Sequence, residues 1–478
     1  MWCPLNLLGD LKTVKPLNPI LISGKEVLPL IEGGKGVAAS DGRSCGAWAA
    51  AGGVGTVSGV NPDSYDAEGK VIPQVYHAAT RRERQNELIA YGIRGGITQA
   101  RIAHEIAGGK GRIHINVLWE MGGCEPVLEG VLEGAKGLIH GVTCGAGMPY
   151  KVSEIAAHHG VFYYPIVSSA RALRALWKRS YHKQAEWLGG VVYEDPWLAG
   201  GHNGLSNSED PRQPQPPYPR VLELRQLMRE IGLKEIPIFM AGGVWALREW
   251  QDWIDNKELG PIAFQFGTRP LLTQESPIPA EWKRLLPTLK PGDVELHHFS
   301  PTGFYSSAVR NTFLKSLIAR SERQIPFISS PEGDLAEPLA IGARGRLVYV
   351  KAADKARAEG WIAQGYTEAM RTPESTLVFE TQEAAKQIVA DQNACMGCLS
   401  ACHFSNWSQN EEGTTGRKSD PRSFCIQKAL QNIAHGMPVD NELMFAGHNA
   451  YRFGEDPLYA KGHIPTVAEL MAAIVAGN

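Results

Sequence analysis

Eight short apolar runs, each followed by a longer stretch, dominate the first half of the chain. They are Val27–Ile31, Val54–Val57, Ile113–Leu118, Leu138–Thr143, Phe162–Val167, Gly190–Glu194, Ile236–Met240 and Ile262–Phe266. Runs this short suit strands, and helix-like segments lie between them. Examples are Gln85–Ala107, Val127–Ala135, Ser169–Trp187, Arg220–Ile231 and Ala246–Asn256. Alternating strand and helix implies a parallel sheet, because parallel neighbours need a crossover between them. Eight units from Val27 to Phe266 fit the roughly 250 residues of a closed (β/α)8, or TIM, barrel. An open doubly wound sheet is the alternative.

The chain has 478 residues, more than one such barrel needs. The pattern changes after Ser276. The sequence therefore divides into an N-terminal extension (1–26), the barrel (27–276), an appended helical or lid region (277–390) and a C-terminal segment (391–478) that carries a cysteine cluster and a terminal helix over Thr466–Ala476. With 48 basic and 50 acidic residues the net charge is −2, which suggests neither a nucleic-acid nor a membrane partner. No apolar run approaches the roughly 18 residues of a membrane span. Met1-Trp2-Cys3-Pro4 lacks the basic-then-apolar pattern of a signal peptide. A cytoplasmic enzyme acting on a small molecule is the expectation.

Glycine-rich loops follow several of the apolar runs. Ala199-Gly200-Gly201-His202-Asn203-Gly204 comes just after Gly190–Glu194. Glycines let a backbone approach a ligand closely, and a histidine among them can exchange protons near neutral pH. The bland alternative is a histidine that only orders its loop. Met240-Ala241-Gly242-Gly243-Val244 leads towards a helix, and Gln265-Phe266-Gly267-Thr268-Arg269 follows the last run. Loops after strands seven and eight are where barrels commonly bind phosphate, with N–H groups at a helix N-terminus favouring the anion. Glu32-Gly33-Gly34-Lys35-Gly36-Val37 and Ala50-Ala51-Gly52-Gly53-Val54-Gly55-Thr56 are two further turns against which a planar cofactor can lie.

Gly33-Gly34, Gly52-Gly53-Val54-Gly55-Thr56, Asn116, the Ala-Gly-Gly-His-x-Gly loop, the Ala-Gly-Gly loop and the Gln-x-Gly-Thr stretch occur in this order. In that respect the chain resembles the nitronate monooxygenases, formerly called nitropropane dioxygenases, over roughly Val27 to Ser276. The resemblance implies a flavoprotein oxidoreductase that binds FMN non-covalently and oxidises alkyl nitronates with oxygen. It implies that Gly34, Lys35 and Gly36 face the flavin ring through their backbones. Asn116 would bond near the ring or ribityl chain, and Gly201 would lie along the cofactor. Gly242, Gly243, Gly267 and Thr268 would hold the phosphate, and His202 would be the catalytic base. Lys35 stands where many members have Met. Related barrels reduce quinones or enoyl thioesters with a nicotinamide donor.

Cys395-Met396-Gly397-Cys398-Leu399-Ser400-Ala401-Cys402 spaces three thiols as C-x2-C-x3-C, and Cys425 follows. Four thiolates satisfy a [4Fe–4S] cluster or a zinc ion. Structural zinc usually prefers two separated C-x2-C pairs, so iron–sulfur is favoured over zinc or no metal. The triplet is similar to the cluster motif of dienoyl-coenzyme-A reductases, with a longer gap to the fourth cysteine. A cluster fits an oxygen-using enzyme poorly. It points to an alternative: an FMN/iron–sulfur reductase passing electrons between NAD(P)H or ferredoxin and an unsaturated or quinone-like substrate. A non-catalytic flavin electron carrier is the third reading. Cys144, ending the fourth run, reads as a buried thiol, and His158 and His159 as surface residues.

Overall fold

The computed structural model describes residues 15–409, 416 and 418–478, so the Met1-Trp2-Cys3-Pro4 reading lies outside it. Eight parallel strands close into a barrel: β1 Leu30–Glu32, β2 Val54–Ser58, β3 Arg112–Leu118, β4 Gly141–Gly145, β5 Phe162–Val167, β6 Val191–Glu194, β7 Ile238–Ala241 and β8 Ile262–Phe266. Each pairs with the next, and Phe264 of β8 against Leu30 of β1 closes the ring. The closed ring excludes the open doubly wound sheet. Helices α1 Gly42–Ala50, α2 Arg81–Ala107, α3 Cys124–Gly134, α4 Val152–His159, α5 Ala170–Arg179 and α6 Pro217–Glu230 lie outside. One apolar core joins strands to helices through residues such as Trp48, Ile115, Val131, Leu173 and Leu224.

The first apolar run is broken in two. Lys25–Val27 belongs to a hairpin with Ile20–Ile22, and the barrel strand begins only at Leu30. Pro29 lies between them and has no N–H to continue a ladder. The hairpin closes one end of the barrel. Its Ser23 Oγ lies 2.9 Å from His114 Nε2 and 2.7 Å from the Tyr164 hydroxyl. His114 is buried there, and burial pushes it down to about 3.

The helix expected over Ala246–Asn256 is instead a short 3-10 turn, Leu247–Trp250, followed by further turns. Leu247, Trp250 and Trp253 are all buried. Three residues per turn eclipses side chains at i and i+3, so this winding puts Leu247 and Trp250 on the core side, and the turn that follows adds Trp253. The outer wall left thin there is filled by the terminal helix, Val467–Val475. Its Val467, Leu470, Met471 and Ile474 join the barrel core, and a Cβ on Gly53 would meet the Leu30 carbonyl at 2.5 Å and Met471 Cε at 2.9 Å. Arg248 and Arg269 donate to the backbone carbonyls of Gly477 and Asn478. The helix is thus part of the barrel wall. Ile474→Val is expected to cost about 1 kcal/mol and to shift the barrel's single urea transition. A separate early transition of the tail would contradict this placement.

Residues 277–390 are not mainly helical. They hold a three-stranded sheet (Gln324–Pro326, Thr376–Glu380, Glu368–Arg371), a hairpin (Glu337–Ile341 with Arg346–Val350) and three α-helices of eleven or twelve residues. This part has its own core around Ile325, Val348, Leu377 and Phe379. The short strands alternate poorly in the sequence, as the half-exposed Glu337–Ile341 shows, so they carry little signal. No helix among the described residues is long and apolar enough to cross a membrane.

Candidate active site

Glycine loops leave the carboxyl ends of the barrel strands, where barrels present their ligand groups. Gly34, Lys35, Gly36, Asn116, Gly201, His202, Gly242, Gly243, Gly267 and Thr268 all line one cavity there, of about 450 Å³. Gly33–Gly36 follow β1, Asn116 lies in β3, and the 199–204 loop follows β6. The other two loops follow β7 and β8. The Gly52-Gly53-Val54-Gly55-Thr56 turn does not join them. Gly52 and Gly53 precede β2 and Val54, Gly55 and Thr56 lie in it, so the turn opens on the opposite end. A Cβ on Gly55 would meet the Cys45 carbonyl at 1.9 Å, so this glycine serves close packing of β2 on α1.

Lys35 presents backbone to the cavity. Its Nζ turns back to Glu32 Oε1 at 3.1 Å and donates to the Gly33 carbonyl at 2.8 Å. Gly34 presses against Asn116, whose Cβ would lie 2.3 Å from any added Cβ. Gly242 and Gly243 have φ +82° and +78°, a region in which only glycine is comfortable. The loop they form leads into the 3-10 turn, not an α-helix. Any anion here is therefore held by loop N–H groups and not by a helix terminus. Gly201 and Gly267 differ from these: nothing lies within 4 Å of where their Cβ atoms would be. They hold space open on the cavity wall.

His202 sits in a two-residue strand, Gly201–His202, that pairs antiparallel with Ser306 and Ser307. Its Nε2 lies 2.6 Å from Ser300 Oγ, which lies 2.8 Å from Thr302 Oγ1. Burial pushes the imidazole down to about 4, so it is neutral at pH 7. Neutral imidazole keeps one nitrogen free to accept a proton. Two strands away, His297 is likewise lowered, to about 3, by burial and then by the nearby His202. Glu194, at the end of β6, also faces the cavity. Burial and the Asp195 charge raise it to about 8, so it is mostly protonated at neutral pH.

Several residues at the site escaped the sequence reading. Ser306, which lines the cavity, and Ser300, which bonds His202, come from the segment beyond the barrel. Gly447 N–H donates to Thr268 Oγ1 at 2.8 Å, and Asn449 Nδ2 donates to the Gly243 carbonyl at 2.7 Å. A signal was available: Ala446-Gly447-His448-Asn449 resembles the Ala199-Gly200-Gly201-His202-Asn203 loop with one glycine fewer. Asn203 lines the cavity, is buried, and its Nδ2 has no partner. Cys144 is fully buried and outside the lining. His159 is held by Glu129 at 2.6 Å, with its side chain only 9% exposed, so it is not the surface residue expected.

A sequence profile described as nitronate monooxygenase matches residues 22–365. The chain belongs to the nitronate monooxygenase family. It is a flavin-dependent oxidoreductase of that family. No curated protein matches the sequence. Among solved structures, the enoyl reductase domain of MlnA from the macrolactin biosynthesis cluster of Bacillus amyloliquefaciens is similar, with TM-score 0.52 and 12% identity, covering 94% of this chain and 93% of that one. FabK from Thermotoga maritima has TM-score 0.47 and 14% identity, covering 94% and 91%. A nitroalkane oxidase from Streptomyces ansochromogenes has TM-score 0.43 and 17% identity, covering 60% and 78%. At these identities the first likeness is one of fold alone, and the other two carry nothing further. The nitronate monooxygenase match stops before the cysteine cluster. The loop that closes on Thr268 and the terminal helix that completes the barrel also lie beyond it.

Cys395, Cys398, Cys402 and Cys425 gather around one small void. Cys398, Leu399 and Ile426 line the main cavity as well. Ser405 Oγ donates to Cys395 Sγ at 3.0 Å. The loop carrying Cys398 is fastened to the barrel, since Gly122 N–H donates to the Cys398 carbonyl at 2.9 Å.

Proposed function

We propose that the chain binds FMN in this cavity and oxidises a small carbon acid such as an alkyl nitronate, with His202 as base. The observation that carries this reading is that His202 and the glycine loops meet on one cavity at the barrel's carboxyl end. The residues present suit a phosphorylated planar cofactor. Gly201 and Gly267 leave room along the wall, and the unpartnered Asn203 amide offers a donor. Thr268 Oγ1 already accepts from Gly447, so its own hydroxyl proton remains to donate to a phosphate oxygen. Gly242 and Gly243 add backbone donors beside it. The backbone of Gly34, Lys35 and Gly36 would face the flavin ring, with Asn116 near it.

FMN supplies the redox chemistry when bound. The chain's own work is to hold substrate under the imidazole and to move one proton. His202 takes the α proton of a nitroalkane, and Ser300 keeps the ring in place while it does so. The substrate then sits as the nitronate anion. Protonated Glu194 adds no competing negative charge to the cavity. The test is purified protein with an alkyl nitronate under air. Oxygen uptake with nitrite release is expected, and the absence of both sinks the reading.

A second reading rests on the wall that the cavity shares with the four thiols. Cys395, Cys398, Cys402 and Cys425 gather around one void, and their C-x2-C-x3-C spacing with one remote thiol favours a [4Fe–4S] cluster over zinc. In this reading the enzyme is a reductase that takes electrons from NAD(P)H or a ferredoxin and gives them to an unsaturated or quinone-like substrate.

A further inference from the structure

We propose that the cysteine site is a one-electron entry port: electrons enter at the surface beside Cys395, pass through the four-thiol cluster, and reach the flavin across the wall formed by Cys398. This deepens the function proposed above and rests on FMN occupying the cavity.

Three features place the port. The void is walled on one side by the end of the helix Gln382–Asn393, and Asn393 and Ala394, next to Cys395, are exposed. A protein donor can therefore approach within a residue or two of the first ligand. On the other side Cys398 and Ile426 face both the void and the main cavity. No further layer of protein separates the two spaces at that point. The wall is also held rigidly. Gly122 N–H and the Cys398 carbonyl join it to the loop after β3, Ser400 N–H donates to the Glu120 carbonyl at 2.8 Å, and Met121 pairs with Leu399. On the far edge, Asn61 Nδ2 donates to Gln427 Oε1, two residues past Cys425, at 2.6 Å. Asn61 itself lines the cavity. Barrel loops and cysteine loops thus share hydrogen bonds on both sides of the contact, which keeps the separation between the two centres constant.

The electron count closes with a one-electron iron–sulfur protein as donor. Two donor molecules each lose one electron, and the cluster carries them singly. The flavin gains both electrons together with two protons from solvent. Bound FMN would then supply a hydride equivalent and a proton to an unsaturated acceptor, or two electrons and two protons to oxygen to give hydrogen peroxide.

The test begins with protein purified without oxygen. Iron and acid-labile sulfide are measured beside FMN. About four of each per chain are expected, and zinc in their place, or no metal, overturns the port. Reduced plant-type ferredoxin, too large to enter the cavity, is then mixed anaerobically with the holoprotein in a stopped-flow spectrometer. Bleaching of the iron–sulfur absorbance ahead of the flavin band is expected, whereas flavin bleaching with no earlier cluster phase overturns it. Cys425→Ser should slow flavin reduction by ferredoxin at least tenfold while the protein keeps its FMN. An unchanged rate overturns the proposal. Should that variant not fold, the order of bleaching in the unaltered protein decides. FMN content and nitronate turnover of the same samples report separately on the cavity, so a failed port leaves that reading standing.

Discussion

His202→Asn is expected to lower turnover of a neutral nitroalkane by about 10²–10⁴-fold, the usual contribution of a positioned general base. Turnover of the pre-formed nitronate should fall far less, because its proton has already gone. Equal losses with both substrates would make His202 a positioning residue instead. The pH profile carries a second signature. Burial lowers the imidazole to about 4, so the base form persists well below the usual 6.5. As pH falls the nitroalkane rate should hold through 6.5 and decline only near 4, where the ring takes up a proton. The His202→Asn protein should lack that acid limb. A limb near 6.5 would show that the imidazole is hydrated and not sealed in the cavity.

Gly267→Leu is expected to yield folded protein that has lost its flavin. Nothing lies within 4 Å of the position a Cβ would take, so the larger side chain meets no protein atom nearby and extends into the space left for the ligand. FMN affinity should fall at least tenfold, about 1.4 kcal/mol, with the unfolding transition of the flavin-free protein little changed. The neighbouring Gly243 makes the contrast. A Cβ there would sit 2.6 Å from Leu198 Cδ1 at a φ of +78°, so substitution there strains the backbone as well. Stoichiometric FMN in the Gly267→Leu protein would remove the phosphate end of the cavity from this place.

The barrel was legible because its strands are buried on both faces. Such strands read as continuous apolar runs, and Phe162–Val167 was recovered with the same bounds. The site was legible for a related reason. A ligand loop needs glycines that no packing argument demands, and these fall directly after the strands. Both signals have limits. Gly53 and Gly55 look like ligand glycines, yet they serve close packing against the β1 backbone at Leu30 and against α1. Sequence spacing cannot tell a missing Cβ that admits a ligand from one that admits a helix. The Ala246–Asn256 helix failed because its apolar spacing of three fits a 3-10 turn as well as an α-helix.

The local pattern of side chains set out the eight-stranded ring, the histidine loop and the thiol spacing, since each depends on residues near one another in the chain. Long-range contacts determined everything that joins distant segments. These are the terminal helix that completes the barrel wall, the Gly447 loop that closes on Thr268, the Ser300 hydroxyl on His202, and the single wall that Cys398 shares between two spaces. Such contacts unite residues far apart in the chain (Asn61 with Gln427, 366 positions on, for one), and no period or spacing along the chain encodes them.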